Sequence, residues 1–178
     1  IDAVGPASDD VGWLNAGANI IVRGNATNGV GNAMAQGKIY IAGDTGARGM
    51  TMTKHNPRFD PPELWVLGSV GDSFAEFMAG GTAVVCGYDT PRKDNVLGYR
   101  PCVGMVGGKI FFRGYHKGYS EQDARLTMLD DEEWRWLTLN MKVFLDTIGR
   151  SDLYPLLTGD RSAWQLLVAL KPHEKHGG

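Results

Sequence analysis

Several things are scarce in this 178-residue chain, and each scarcity closes off a class of protein. Only two cysteines occur, Cys86 and Cys102, with no metal-type doublet. They read as reduced core thiols of a cytoplasmic protein rather than as a disulfide framework or a cluster site. Net charge is nearly lacking, at −2, which argues against nucleic acid or an anionic membrane surface as the main partner. No apolar run approaches the roughly 20 residues that a membrane helix needs. Histidine is sparse too: none of His55, His116, His173 and His176 is paired with a carboxylate at helical i, i+4 spacing, and none sits near a cysteine motif. The sequon Asn25-Ala-Thr27 stands in a chain without secretory signs and reads as chance.

Glycine is what the chain has in excess. It supplies 25 residues, about double its usual share of about 7%, while hydrophobic residues hold an ordinary 43%. The excess is periodic, so disorder does not explain it. A phrase beginning Met34-Ala-Gln-Gly37 and ending at Gly43 returns from Met78 through Gly81 to Gly87, and from Met105 through Gly108 to Gly114. Two further apolar runs close on Gly24 and Gly68. The closing glycines are 19, 25, 19 and 27 residues apart. One short strand per repeat of about 20 residues is the mark of a solenoid, whose rungs bury their apolar faces only by stacking.

The apolar triplets 20–22, 39–41, 64–66, 83–85 and 110–112 are too short for helices and rich in β-branched or aromatic residues. They are expected to be parallel strands. Residues 1–12 carry no period and read as a lead-in; 13–119 form the glycine-rich domain; 120–178 are a C-terminal helix and a capping tail. Since the chain opens at Ile1 on polar text, it reads as a piece of a longer polypeptide. The longer intervals place insertions at 54–62 and 88–95, where Pro and charge gather. Loops on one face of a solenoid often make its contacts, so His55 and Arg58 are candidate partner contacts.

After residue 119 the text changes. An acidic run, Asp130 to Glu133, starts a helix whose stripe is Trp134, Leu137, Met141, Phe144, Leu145 and Ile148, and Gly149 stops it. Trp136 leaves that stripe and is a third candidate contact, with the repeats or with another subunit. A helical turn at 153–157 and a strand at 165–170 follow. The end, from His173, is polar and reads as frayed.

No motif for chemistry survives testing. The stretch from Gly31 to Ile39 has one residue too many for a phosphate loop, and Ile39 stands where Ser or Thr is needed. No dinucleotide fingerprint and no nucleophile elbow is present. Arg23, Arg48 and Arg113 could line one edge. Asp44 and Asp72 are the sole basis for a polysaccharide-cleaving reading, and corner Asp residues are common without catalysis.

The glycine phrases, above all those from Met78 to Gly87 and from Met105 to Ile110, resemble the Gly-x-Gly-x-Gly domain that closes the large subunit of glutamate synthase. One of the subunits of formylmethanofuran dehydrogenase and the small subunit of N-methylglutamate synthase share it. The resemblance covers residues 13–115 and implies a right-handed parallel β-helix, all-β apart from the C-terminal appendage. It places no catalytic, cofactor or metal residue in this chain. Gly24, Gly37, Gly43, Gly68, Gly81, Gly87, Gly108 and Gly114 are its structural glycines. It implies a non-catalytic scaffold in a hetero-oligomer with glutaminase-type and flavin-dependent synthase subunits, which would hold the FMN and iron–sulfur centres. The alternative is the equivalent scaffold of a formylmethanofuran dehydrogenase or formyltransferase complex, or of N-methylglutamate synthase. The short chain and its Trp-rich helix suit a stand-alone subunit.

Overall fold

The computed structural model describes residues 1–174; the polar end, from residue 175 onward and including His176, lies outside the described residues. The strands are β1 (Asp2–Ala3), β2 (Ala16–Val22), β3 (Gln36–Ile41), β4 (Glu63–Val66), β5 (Ala79–Val85), β6 (Gly107–Arg113), β7 (Ala124–Thr127) and β8 (Trp164–Ala169). They make one eight-stranded sheet in the order β1-β2-β3-β4-β5-β6-β8-β7. The first six run parallel, while β8 pairs antiparallel with both β6 and β7.

The five apolar triplets lie in register, so Ile20, Ile39, Leu64, Ala83 and Ile110 form one row. Successive strand residues face opposite sides of a sheet. That row and the row from Val22 to Phe112 therefore point to one core, and the row Ile21, Tyr40, Trp65, Val84 and Phe111 points to another. Residues 1–12 join this arrangement: β1 pairs with β2, and Ala7 bridges to Ala26.

The expectation of a closed, single-stranded parallel β-helix is not met: the sheet is mixed, and strands occupy one side only. The return path of each rung is a turn in which alternate residues hold left-handed backbone. Asp10, Gly12 and Leu14 do so, then Gly29, Gly31 and Ala33, then Arg48, Met50 and Met52, then Ser73, Ala75 and Phe77, with φ from 55° to 74°. Extended backbone cannot alternate in this way, so these segments are not strands. They still pair from rung to rung. Gly31, Met50 and Ala75 each donate an N–H to the preceding turn at 2.8 Å. Asp10, Arg48 and Ser73 donate to the following one, also at 2.8 Å.

Two of the closing glycines have a reason other than backbone angle. A Cβ on Gly43 would lie 2.1 Å from the Asn25 Oδ1, and one on Gly68 2.3 Å from the Asp44 Oδ1. Those oxygens accept the N–H of Asp44 (2.8 Å) and of Ser69 (2.7 Å) on the next rung. Each glycine thus leaves room for a corner side chain that ties two rungs together.

Met34, Met50 and Met78 fill the space between strands and turns, fully buried. Flexible thioethers suit an irregular gap of that kind. Thr45 is also buried, and its hydroxyl finds no hydrogen-bond partner. Burying an unpaired hydroxyl is costly, so Thr45→Val is expected to stabilise the chain by about 1 kcal/mol. A denaturant midpoint that stays put or falls would contradict this.

The helix α1 (Asp131–Ile148) begins with a capping box, in which Asp130 accepts the Glu133 N–H at 2.8 Å and Glu133 accepts the Asp130 N–H at 3.1 Å. It ends at left-handed Gly149, φ 76°. Leu137, Met141, Phe144, Leu145 and Ile148 are buried against the outer sheet face, and the half-buried Trp134 packs beside them. The Phe144 ring meets Tyr40 at 5.3 Å and Trp65 at 5.5 Å. A short helix α2 (Tyr154–Thr158) leads into β8, which extends the sheet past β6.

Candidate functional site

Beside the row Tyr40, Trp65 and Phe111 runs a polar one: Asn19, Lys38, Glu63, Thr82 and Lys109 stand in register across β2 to β6. Its members Glu63, Thr82 and Lys109, at the edge of the strands where α1 begins, wall a groove. The groove has a volume of about 480 Å³. Asp60 and Pro61 of the first inserted loop form one rim, Glu132 and Glu133 of α1 another, and Phe111 with Trp136 the apolar floor.

Glu63 is the electrostatic centre of this wall. It is 7% exposed. One carboxylate oxygen faces the Lys38 ammonium at 3.2 Å, and the other accepts the Trp65 indole N–H at 2.9 Å. A buried carboxylate is tolerated only with such partners. Across the groove Lys109 pairs with Glu133 at 3.4 Å. Burial, and then the nearby Glu63 charge, push the Tyr40 phenol up to about 12, so it is a neutral donor at physiological pH. The groove holds paired charges over an aromatic floor. That arrangement suits holding a polar surface or ligand.

Trp136 lies in this floor. Its ring stacks on Phe111 at 5.3 Å and 22°, and approaches Trp65 at 5.7 Å. Its main contacts are therefore with its own sheet. His55 and Arg58 are exposed on the inserted loop. The His55 Nε2 is 3.1 Å from the Phe59 carbonyl oxygen, and the Arg58 N–H donates to the Asn56 Oδ1 at 3.0 Å. The loop brings Asp60 and Pro61 to the groove but leaves His55 in a neighbouring depression over Gly80 and Gly108. Glu63, Lys38 and Lys109 were invisible as a group in the sequence, because only the register of the strands aligns them. Each stands at the entry to an apolar triplet, and that shared offset is the signal that could have found them.

The glycines divide by place. Gly37, Gly81 and Gly108 sit inside β3, β5 and β6 with φ of 89°, 108° and 96°, where the backbones of neighbouring rungs approach closely. Gly24, Gly43 and Gly68 close rungs with ordinary angles, and Gly87 and Gly114 with φ of 59° and 116°. Arg23 pairs with Asp2 through two bonds of 2.9 and 2.7 Å, while Arg48 belongs to the turn wall, away from Arg113 at the end of β6. Asp44 and Asp72 do not converge. Asp44 binds Ser69, and Asp72 accepts the Tyr99 N–H at 2.9 Å from a different corner.

Both cysteines are buried free thiols. Burial pushes the Cys86 thiol far up against the opposing pull of Arg113, and holds Cys102 at about 12 with help from the Asp123 charge. A thiolate is the reactive form, so neither thiol should react with a disulfide reagent at mildly alkaline pH until the chain unfolds. A rapid native-state reaction at either one would contradict that expectation. Among the described residues, no group of three or more His, Cys, Asp and Glu is placed to hold a metal ion. No described helix is long and apolar enough to cross a membrane. No protein-family model and no curated protein matches this chain.

Proposed function

We propose that this chain is a non-catalytic organising subunit of a glutamate-synthase-type assembly, in which glutaminase-type and flavin-dependent subunits carry out the chemistry. The FMN and iron–sulfur centres belong to those partners. The reading rests on the resemblance of the glycine phrases to those of that family. The observation that carries it is the in-register stacking of the five apolar triplets, three of them within copies of the phrase, into one sheet. Polar side chains at the rung corners, Asn25, Asp44 and Asp72 among them, are spent on neighbouring backbone rather than aimed at a shared point. The inserted loop and the groove beside it give partners something specific to hold. Paired charges around an aromatic floor suit a docking site whose polar rim fixes orientation.

The test is to purify the tagged chain both from its native host and alone. From the host, a glutaminase and a flavoprotein should accompany it in fixed ratio. Alone, it should show no flavin absorbance and should release no ammonia from glutamine. Stoichiometric flavin on the isolated chain, glutaminase activity in it, or co-purification with neither enzyme would overturn the proposal.

A further inference from the structure

The turns that return each rung carry an apolar row that neither burial nor backbone geometry calls for. Leu14, Ala33, Met52 and Phe77 hold the same place on successive rungs. Each donates its N–H to the carbonyl just before the next member, on Asn32, Thr51, Glu76 and Val103, at 2.8 or 3.0 Å. The row ends at Gly104. All five are left-handed, with φ from 55° to 70°. Glycine takes that conformation freely, and an L-residue only under strain. Yet Leu14 is 57% exposed, Met52 55% and Phe77 58%. The Phe77 ring lies over the bare Cα of Gly104, where a Cβ would stand 2.3 Å from its Cδ1. Glycine would serve folding better at Met52 and Phe77, so their side chains point to a use at the surface.

Cations flank this row on both sides. Four residues earlier on each rung stand Asp10, Gly29, Arg48, Ser73 and Arg100, stacked by the same kind of bond. Two residues past Met52 stands Lys54. Arg48, Arg100 and Lys54 are exposed, and among the described residues their side chains have no ion pair. Against them stand Glu76 and, on the first rung, Asp10, while Asp72 is engaged by the Tyr99 N–H at 2.9 Å. We infer that this wall docks an acidic amphipathic helix of a partner protein, laid along the stack, its apolar side on Met52 and Phe77 and its carboxylates against Arg48 and Arg100. The spacing fits. Rungs repeat at about 4.8 Å, so Arg48 and Arg100, two rungs apart, are separated by about 10 Å. Residues i and i+7 of a helix share a face at that distance, and i and i+3 match adjacent rungs. A second copy docked wall to wall would set cations of one chain against cations of the other. The inference stands independently of the assembly role, since it uses neither the glycine phrases nor the groove beside α1.

The test is fluorescence anisotropy of a labelled helical peptide of about five turns, titrated with the full chain. The peptide carries Leu at i, i+3, i+4 and i+7 and Glu on both flanks. A Kd of about 100 μM or tighter is expected, as for a small transient contact. Lys in place of each Glu should weaken binding at least about tenfold, and Arg48→Glu with Arg100→Glu should reverse that preference. Met52→Gly and Phe77→Gly should each weaken it about tenfold, with a thermal midpoint unchanged or raised, because glycine suits the backbone there. No binding at that concentration would overturn the inference, as would equal binding of the two peptides or indifference to the charge reversal. Glycine variants that bind like the parent would also refute it. A midpoint lowered in both would do the same, since the row would then serve folding. Sedimentation of the chain with phosphatidylserine vesicles while the peptide stays free would give the wall to a membrane instead.

Discussion

Replacing Gly87 by alanine should cost about 2–4 kcal/mol, as large a loss as truncating a core side chain. Two causes add at this position. Gly87 holds φ 59°, a left-handed conformation that costs an L-residue roughly 1–2 kcal/mol. A Cβ there would also stand 2.3 Å from the Arg113 carbonyl oxygen on the next rung. That oxygen is backbone and cannot swing away, so β6 would have to shift from β5. Gly5→Ala is the control, because nothing lies within 4 Å of a Cβ at Gly5 and its φ is not in the left-handed region. It should leave the unfolding midpoint almost unchanged. Equal midpoints for the two variants would mean that rung spacing is not set by the closing glycines.

Trp65→Ala should destabilise by about 3–5 kcal/mol and loosen α1 from the sheet. The indole is fully buried and touches Tyr40 at 6.4 Å, Trp136 at 5.7 Å and Phe144 at 5.5 Å. Its removal empties the seam on which the helix rests. It also strips Glu63 of the N–H at 2.9 Å, leaving a buried carboxylate with Lys38 alone. Trp65→Phe separates the two effects: ring packing is largely kept, the hydrogen bond is lost, and the expected cost falls to about 1–3 kcal/mol. Near-ultraviolet circular dichroism reads the aromatic cluster directly, and urea unfolding reads the energy. A Trp65→Ala chain as stable as the parent would refute the placement of α1 on this face.

Much of the local structure was legible because its causes are local. Apolar triplets flanked by glycine can be little else than short strands, and the acidic run before Trp134 with Gly149 after Ile148 delimits a helix by capping chemistry alone. The candidate site was legible only in part. Trp136 could be singled out because it leaves the apolar stripe. Its stacking on Phe111 depends on where the helix lands. His55 and Arg58 were found as loop residues, yet the groove is completed by Asp60 and Pro61 of that loop and by Glu63, Thr82 and Lys109 of the row from Lys38 to Lys109. That row joins residues up to 71 positions apart in the chain.

The repeat of apolar triplet and closing glycine follows from composition and spacing, because side-chain alternation and the room left by a missing Cβ are properties of single residues and near neighbours. The return path does not follow. Left-handed Leu14, Met52 and Phe77 carry no turn signature, and they persist because bonds to Asn32, Glu76 and Val103 on the next rung hold them there. The end of the sheet is likewise a matter of long-range pairing. The Trp164–Ala169 segment could have extended the sheet in either direction, and it runs antiparallel to β6 because α1 carries the chain across the outer face before it returns. Contacts between residues far apart in sequence thus turned a stack of like rungs into a mixed sheet with one helix-covered face.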